Sequence, residues 1–200
     1  MGDNFTSINI NNFIDEPKSE YGVSKLQDII SSFSCPSNID VEKFLRKNAV
    51  HFTRKKQSVT YCVFNDLYEI AGYYTLTIKP VIFKGSVLSN TARKVIERVS
   101  KYDSQLDEYS ASAYLIAQLG KNLRLPAEKR IPGKNLLELA VNSIKEAQKL
   151  VGGTIVFLEC ENHKKLLDFY ELNGFRAFSS RTVGNTNTET QVLNQLYRLI

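Results

Sequence analysis

The chain contains no tryptophan, one methionine, two histidines and five prolines in 200 residues. It has no apolar run near the ~20 residues that a membrane-crossing helix needs, so no span is expected. Its three cysteines, Cys35, Cys62 and Cys160, are odd in number and far apart. That pattern suits neither a disulfide framework nor a zinc site of paired ligands, and it predicts buried thiols. His51 and His163 have no partner at ligand spacing, which leaves a metal centre and a Cys-His nucleophile pair unsupported. The opening Met-Gly-Asp-Asn-Phe-Thr lacks the basic-then-apolar order of a secretory signal, so a cytoplasmic chain with no membrane association is expected. Gly2 and Thr6 match a myristoylation start superficially, but nothing else in the sequence points to an anchor.

What is present is an ordinary globular composition, 42% hydrophobic and 24% charged. The length predicts a single domain over residues 1–200 with one sizeable core. The net charge of +5 is unevenly spread. Lys43, Arg46, Lys47, Arg54, Lys55 and Lys56 face only Glu42 over residues 41–56, while Lys121, Arg124, Lys129, Arg130 and Lys134 face Glu128 over 120–134. Such clusters are often solvated faces, yet they also suit nucleotides and nucleic acids.

The first twenty residues read as a lead-in with at most one short strand. Helices are predicted near Ser24 to Phe33 and from Asp40, as N-cap, to Arg54, where Val41, Phe44, Leu45, Ala49 and Phe52 recur at helical spacing. Val59 to Phe64 and Ile70 to Ile78 read as antiparallel strands ended by Pro80 and Gly85. Residues 86–109 look like an inserted helix carrying Ala92, Val95, Ile96 and Val99. A strand follows from Ala113 to Leu119, with strand character continuing towards Leu125. After Pro132-Gly133 comes an amphipathic helix striped with Leu136, Leu137, Ala140, Val141, Ile144, Ala147 and Val151, closed by Gly152-Gly153. A buried strand Thr154 to Glu159, a helix His163 to Asn173, and strands near 175–183 and 190–199 around a polar loop at 184–188 complete a mixed α/β order.

A glycine turn between strand and helix is a generic diphosphate site, because the first helical N–H groups lack intrahelical acceptors and point at the anion. Arg130 and Lys134 would add positive charge, and Gly133 would let the backbone approach closely. A plain helix start is the alternative. Arg130-x-x-Gly133-x-Asn135, a Leu-rich helix, a buried strand and Phe169-Tyr-Glu-Leu-Asn-Gly-Phe175 together resemble the GNAT superfamily of N-acetyltransferases, whose loop motif and Tyr-x-x-x-Gly-Phe segment lie about forty residues apart. Asn135 departs from the family's Gly or Ala, and the linker 126–130 is longer than usual.

The resemblance implies a mostly antiparallel mixed sheet, splayed between the family's fourth and fifth strands and flanked by helices. It implies acetyl-CoA as acyl donor, with cofactor contacts from Leu123, Leu125, Arg130, Ile131, Pro132, Gly133, Lys134, Asn135, Asn162 and Phe169, and no metal. The pantetheine arm would add like a strand to the backbone of Leu123 and Leu125. Attack by an amine builds an oxyanion and expels a thiolate, so a proton donor for sulfur is needed. Tyr170 stands at the family's donor position. The strand from Ala113 to Leu119 carries no acid to act as base, which favours an α-amine, with pKa about 7.7–8.0, over a lysine near 10.4.

The N-terminal half, Phe33-Ser-Cys35, Val41 to Ala49, Tyr61-Cys-Val-Phe and Ala71-Gly-Tyr-Tyr-Thr-Leu76, resembles the tRNA-acetylating toxin branch of that superfamily. This implies acetylation of the α-amine of aminoacyl-tRNA, with Arg46, Lys47, Arg54, Lys55 and Lys56 against phosphates and an antitoxin as a further partner. The 86–109 segment is atypical of that branch and could form an acceptor pocket or a homodimer contact. Acetylation of a small amine or protein N-terminus, and a non-catalytic acyl-CoA-binding or partner-binding domain, remain alternatives.

Overall fold

With strands β1 (Thr6–Asn9), β2 (Val59–Phe64), β3 (Ile70–Lys84), β4 (Tyr102–Asp103), β5 (Glu108–Lys121), β6 (Ile155–Glu161), β7 (Arg176–Gly184) and β8 (Thr190–Leu199), the hydrogen-bonded order is β1-β2-β3-β5-β6-β8-β7, and β4 pairs with β5. The structure is a computed structural model describing residues 5–14, 19–184 and 190–200. The first four residues and most of the predicted 184–188 loop lie outside the described residues. The chain clusters into two compact units, residues 1–77 with 117–143 and residues 78–116 with 144–200.

In the first unit, β1 (Thr6–Asn9) pairs antiparallel with β2 (Val59–Phe64), which pairs antiparallel with β3 (Ile70–Lys84). Short α1 (Asn11–Ile14) and longer α2 (Ser19–Ser31) bring Ile14, Leu26 and Ile30 onto a core with Phe33, Leu45, Cys62, Ile70 and Tyr73. The single helix expected from Asp40 to Arg54 is three segments: α3 (Ile39–Lys43), a π-helical turn (Phe44–Asn48) and α4 (Ala49–Arg54). The cap is Asn38, not Asp40, since the Asn38 side chain accepts the Val41 N–H at 3.1 Å. In the wide turn the Ala49 N–H reaches back five residues to the Phe44 carbonyl. Leu45 and Ala49 face the core, and Phe44 packs edge-on against Phe52 at 5.6 Å.

Strand β5 (Glu108–Lys121) and helix α6 (Gly133–Val151) pass through both units, as does β3. Pro80 does not end β3, which continues to Lys84. Pro80 and its neighbours Ile78 and Lys79 are exposed there, where a missing N–H is tolerated. A Cβ at Gly120 would stand 2.5 Å from a Val41 methyl and 2.9 Å from the Tyr73 ring, so glycine is the residue that lets β5 lie against them.

In the second unit, β5 runs parallel to β6 (Ile155–Glu161) over Tyr114–Ile116, and β6 pairs antiparallel with β8 (Thr190–Leu199), itself antiparallel to β7 (Arg176–Gly184). The expected inserted helix is shorter than 86–109. A 3-10 turn (Gly85–Val87), α5 (Asn90–Ile96) and a two-residue strand β4 (Tyr102–Asp103) folded back on the start of β5 fill the segment. Ala92 and Ile96 from α5 join Phe83, Tyr109, Phe157 and Phe178 in this unit's core. Helix α6 stops at Gly152 and Gly153, both at positive φ (75° and 98°), the left-handed exit that glycine takes without steric cost. Helix α7 (Lys164–Leu172) precedes β7.

Candidate active site

Just past the end of β5 stands Asn122, a polar side chain 1% exposed. Its Nδ2 donates to the carbonyls of Ile70 at 2.8 Å and Ser32 at 3.3 Å, and its Oδ1 accepts the N–H groups of Ser34 at 3.0 Å and Arg124 at 3.1 Å. Its own N–H donates to Ala71 O, and the Leu123 N–H donates to Ser34 O, both at 2.8 Å. One amide therefore ties the exit of α2, the start of β3 and the loop after β5 together. Sequence reasoning passed over it, because a lone Asn after a strand looks like a turn residue.

Arg130 closes the other end of that loop. Its Nε donates to Leu125 O at 2.6 Å and a terminal nitrogen donates to Leu123 O at 2.7 Å. The expected anion-facing arginine is thus a strut across its own loop, and the two carbonyls it holds are those of the residues expected to line a pantetheine arm. Ile131 is fully buried and anchors the approach to α6. The Leu136 N–H donates to Pro132 O at 3.1 Å, so the N–H groups of Gly133, Lys134 and Asn135 precede the first intrahelical bond. Leu136 and Leu137 seat the helix in the core, while Pro132, Lys134 and Asn135 are exposed. Lys134 lies 3.9 Å from Glu138, a loose exposed pair that contributes little.

The Phe33-Ser34-Cys35 segment is held by Glu42. Its carboxylate accepts the Cys35 N–H at 2.8 Å and the Ser34 hydroxyl at 3.2 Å and pairs with Arg46 at 3.0 Å. The Cys35 N–H foremost, assisted by Ser34 and Arg46 against some desolvation, holds this carboxyl below its ordinary range. Arg46 also donates to Phe33 O at 2.6 Å and Ser31 O at 3.1 Å. Its guanidinium is committed to the fold. Lys47, Arg54, Lys55 and Lys56 are exposed, and the last two close α4, with Lys56 at φ 56°. Cations at a helix C-terminus also complement its dipole.

In the second unit, Leu166 and Leu167 N–H groups donate to His163 O, starting α7. Exposed Asn162 accepts from Asn194 at 3.2 Å. Tyr170 is 8% exposed, edge-on to Phe169 at 5.1 Å and Phe175 at 5.9 Å. Burial, reinforced by Cys160, pushes its phenol well above the ordinary tyrosine value. The Cys160 thiol is itself raised to about 11, by burial first and Glu161 second, and all three cysteines are free and buried. Glu159 is no candidate base. Burial raises it, but Arg181 at 2.6 and 2.7 Å and Gln195 at 2.8 Å outweigh that and hold it as a carboxylate below its usual pKa. Among the described residues no group of three or more His, Cys, Asp or Glu side chains could hold a metal.

No family model and no curated protein sequence matches the chain. Solved structures do. AtaT complexed with acetyl-methionyl-tRNAfMet matches at TM-score 0.61 and 17% identity, covering 94% of each chain. A tyrosine-to-phenylalanine mutant of KacT matches at 0.60 and 19%, covering 95% of this chain and 94% of that one. A bacterial toxin matches at 0.62 and 16%, covering 100% and 92%. This chain has the GNAT fold of the AtaT and KacT toxins. The scaffolded loop and the start of α6 belong to the first unit, and α7 with Tyr170 belongs to the second.

Proposed function

We propose that residues 1–200 act as one acetyl-CoA-dependent N-acetyltransferase domain, and that the acceptor is the α-amine of an aminoacyl-tRNA. The observation that carries the first part is the loop from Asn122 to Pro132, pinned at both ends and delivering three helical N–H groups with no acceptor among the described residues at an exposed α6 start. Those residues fit a diphosphate: Gly133, Lys134 and Asn135 offer N–H donors and Lys134 a nearby charge. When bound there, acetyl-CoA supplies an activated acyl thioester.

The chain's own groups then do the rest. Buried Ile131 and exposed Pro132 set the height of the helix start. Arg130 holds the Leu123 and Leu125 carbonyls and Ser34 O takes the Leu123 N–H, so these groups shape the loop beside the pantetheine arm and do not pair with it as a strand. Asn162 and Phe169 complete the cofactor contacts from α7 and its approach. Tyr170 keeps its proton at neutral pH and donates it toward the leaving sulfur. A thiol near 8.5 is a stronger acid than a phenol above about 10, so full transfer in advance would be uphill by at least ~2 kcal/mol. The phenol therefore acts by hydrogen bonding as charge develops on sulfur.

The acceptor follows from basicity. No acid stands in β5 from Ala113 to Leu119, and an α-amine near 7.7–8.0 needs little help to lose its proton. The same fold in AtaT is seen with acetyl-methionyl-tRNAfMet, which supports this choice over a lysine. Exposed Lys47, Arg54, Lys55 and Lys56 offer phosphate contacts. AtaT is also seen bound to the C-terminus of the antitoxin AtaR, and an antitoxin is the protein partner we infer here. A cytoplasmic place of action is inferred from a tRNA acceptor, and among the described residues no helix is long and apolar enough to cross a membrane.

Incubation with labelled acetyl-CoA and total charged tRNA tests the reading. Wild type should label the aminoacyl-tRNA and Tyr170→Phe should not. Labelling of small amines with none on charged tRNA would select the small-amine alternative.

A further inference from the structure

The β2–β3 turn holds Tyr68 in a conformation that bulky residues rarely adopt, φ 58°. Asn65 fastens this turn with both its side chain and its backbone. Its Oδ1 accepts the N–H groups of Leu67 at 3.0 Å and Glu69 at 2.9 Å, and its Nδ2 donates to Glu69 at 2.9 Å. Its backbone exchanges bonds with Tyr68 N–H and Glu69 O at 3.0 and 3.1 Å. The Tyr68 side chain is nevertheless 88% exposed, so its ring gains almost nothing from the fold. A strained residue kept in place by its surroundings, with no packing to justify it, points to a ligand.

Beside the ring lies an open-sided cavity of about 380 Å³. Ile29, Ile70 and Leu125 give it an apolar floor, Asn122 fixes that floor, and Arg124 stands with Tyr68 in its lining. Arg124 is exposed and forms no ion pair within 4.0 Å among the described residues, its charge acting only at longer range on Glu42, the last of the influences on that carboxyl. Within the basic 120–134 run it differs from Lys129, paired with Glu69 at 3.2 Å, and from Arg130, bound to its own loop.

We propose that this cavity is a nucleotide subsite, in which an unpaired base stacks on Tyr68 over the apolar floor and Arg124 takes an attached phosphate. Aromatic rings accept any base face, and an arginine fork matches phosphate oxygens. The inference rests on the acetyltransferase reading only for the two sources of such a nucleotide, the 3′-phosphoadenosine end of coenzyme A and the 3′ end of tRNA. Glu69 also lines the cavity, and its carboxylate is paired with Lys129 at 3.2 Å and accepts from Asn65, so Lys129 offsets its charge there.

The test compares wild type, Tyr68→Ala and Arg124→Ala for binding of coenzyme A, dephospho-coenzyme A and a single-stranded oligonucleotide ending in CCA. Both side chains are exposed, so the variants should fold. The subsite predicts a loss of about tenfold or more in each variant for at least one probe, the size of one base stack or one charged phosphate contact. If coenzyme A is the source, Arg124→Ala should bind it no better than wild type binds the dephospho form. If tRNA is the source, the oligonucleotide should weaken while coenzyme A holds. Variants matching a wild type that binds coenzyme A would overturn the subsite alone. A wild type that binds no probe would overturn the subsite and the acetyltransferase reading together.

Discussion

The side-chain oxygen of Asn122 accepts the Ser34 N–H at 3.0 Å, joining residues 88 apart in sequence under the loop that leads to α6. Truncating that amide leaves the Ile70 carbonyl and the Ser34 N–H without it in a buried setting. Each orphaned group costs about 1–3 kcal/mol, so Asn122→Ala should lower the unfolding free energy by roughly 3 kcal/mol or more. Asn122→Asp should fare no better, because it keeps the acceptor, loses both donated bonds and buries a charge. Urea denaturation measures both.

Arg130→Lys keeps the charge and cannot bridge the carbonyls of Leu123 and Leu125 with one fixed fork. Loss of one charge-assisted bond, worth about 1.5–3 kcal/mol, should loosen the loop. Calorimetric titration should show acetyl-CoA binding weakened by roughly tenfold or more. An unchanged affinity would mean that the loop's shape does not matter to the ligand.

Tyr170→Phe should slow acetyl transfer by roughly 10²–10⁴-fold, the range for losing a positioned acid, with acetyl-CoA affinity within about twofold of wild type. The pH profile carries a second check. Burial raises the folded phenol above its unfolded value of about 10, so it stays protonated and kcat should show no falling limb from this group below about pH 10. The stabilising side of this shift is present in full below the unfolded value and is lost as pH rises through the folded one. Alkaline unfolding monitored by circular dichroism should therefore begin only above about pH 10, and Tyr73, raised chiefly by burial as well, should reinforce it.

Tyr68→Gly removes a β-carbon from left-handed backbone, which costs an ordinary residue about 1–2 kcal/mol. Against the added freedom of the unfolded glycine, a gain near 1 kcal/mol should raise the melting temperature by roughly 2–4 °C. A fall in melting temperature would show that the tyrosine supports the turn and is not held there for a ligand.

Much of this molecule is readable in its sequence where burial is periodic. Helix α6 follows from its stripe of Leu136, Leu137, Ala140, Val141 and Ile144, and β6 from an unbroken apolar run. The π-helical turn at 44–48 is hidden because an apolar stripe tolerates one extra residue without losing its face. The cap falls on Asn38 and not on Asp40 because backbone geometry decides which side chain meets a free helical N–H. Pro80 misled because whether a strand residue needs its N–H depends on which neighbour it meets. Arg46 and Arg130 show the sharper limit: sequence locates a cation, but only the fold decides whether its fork faces a phosphate or a carbonyl. Asn122, the residue that organises the candidate site, shows locally only a turn bond to Arg124, since its other partners lie at positions 32, 34, 70 and 71.

The central claim is that a diphosphate rests on the free amides at the start of α6. Titrating acetyl-CoA into uniformly ¹⁵N-labelled protein measures this directly through the backbone amide signals of Gly133, Lys134 and Asn135. The account predicts that these three shift together and saturate with the binding isotherm. Saturating ligand that leaves them unmoved while other signals shift would contradict it.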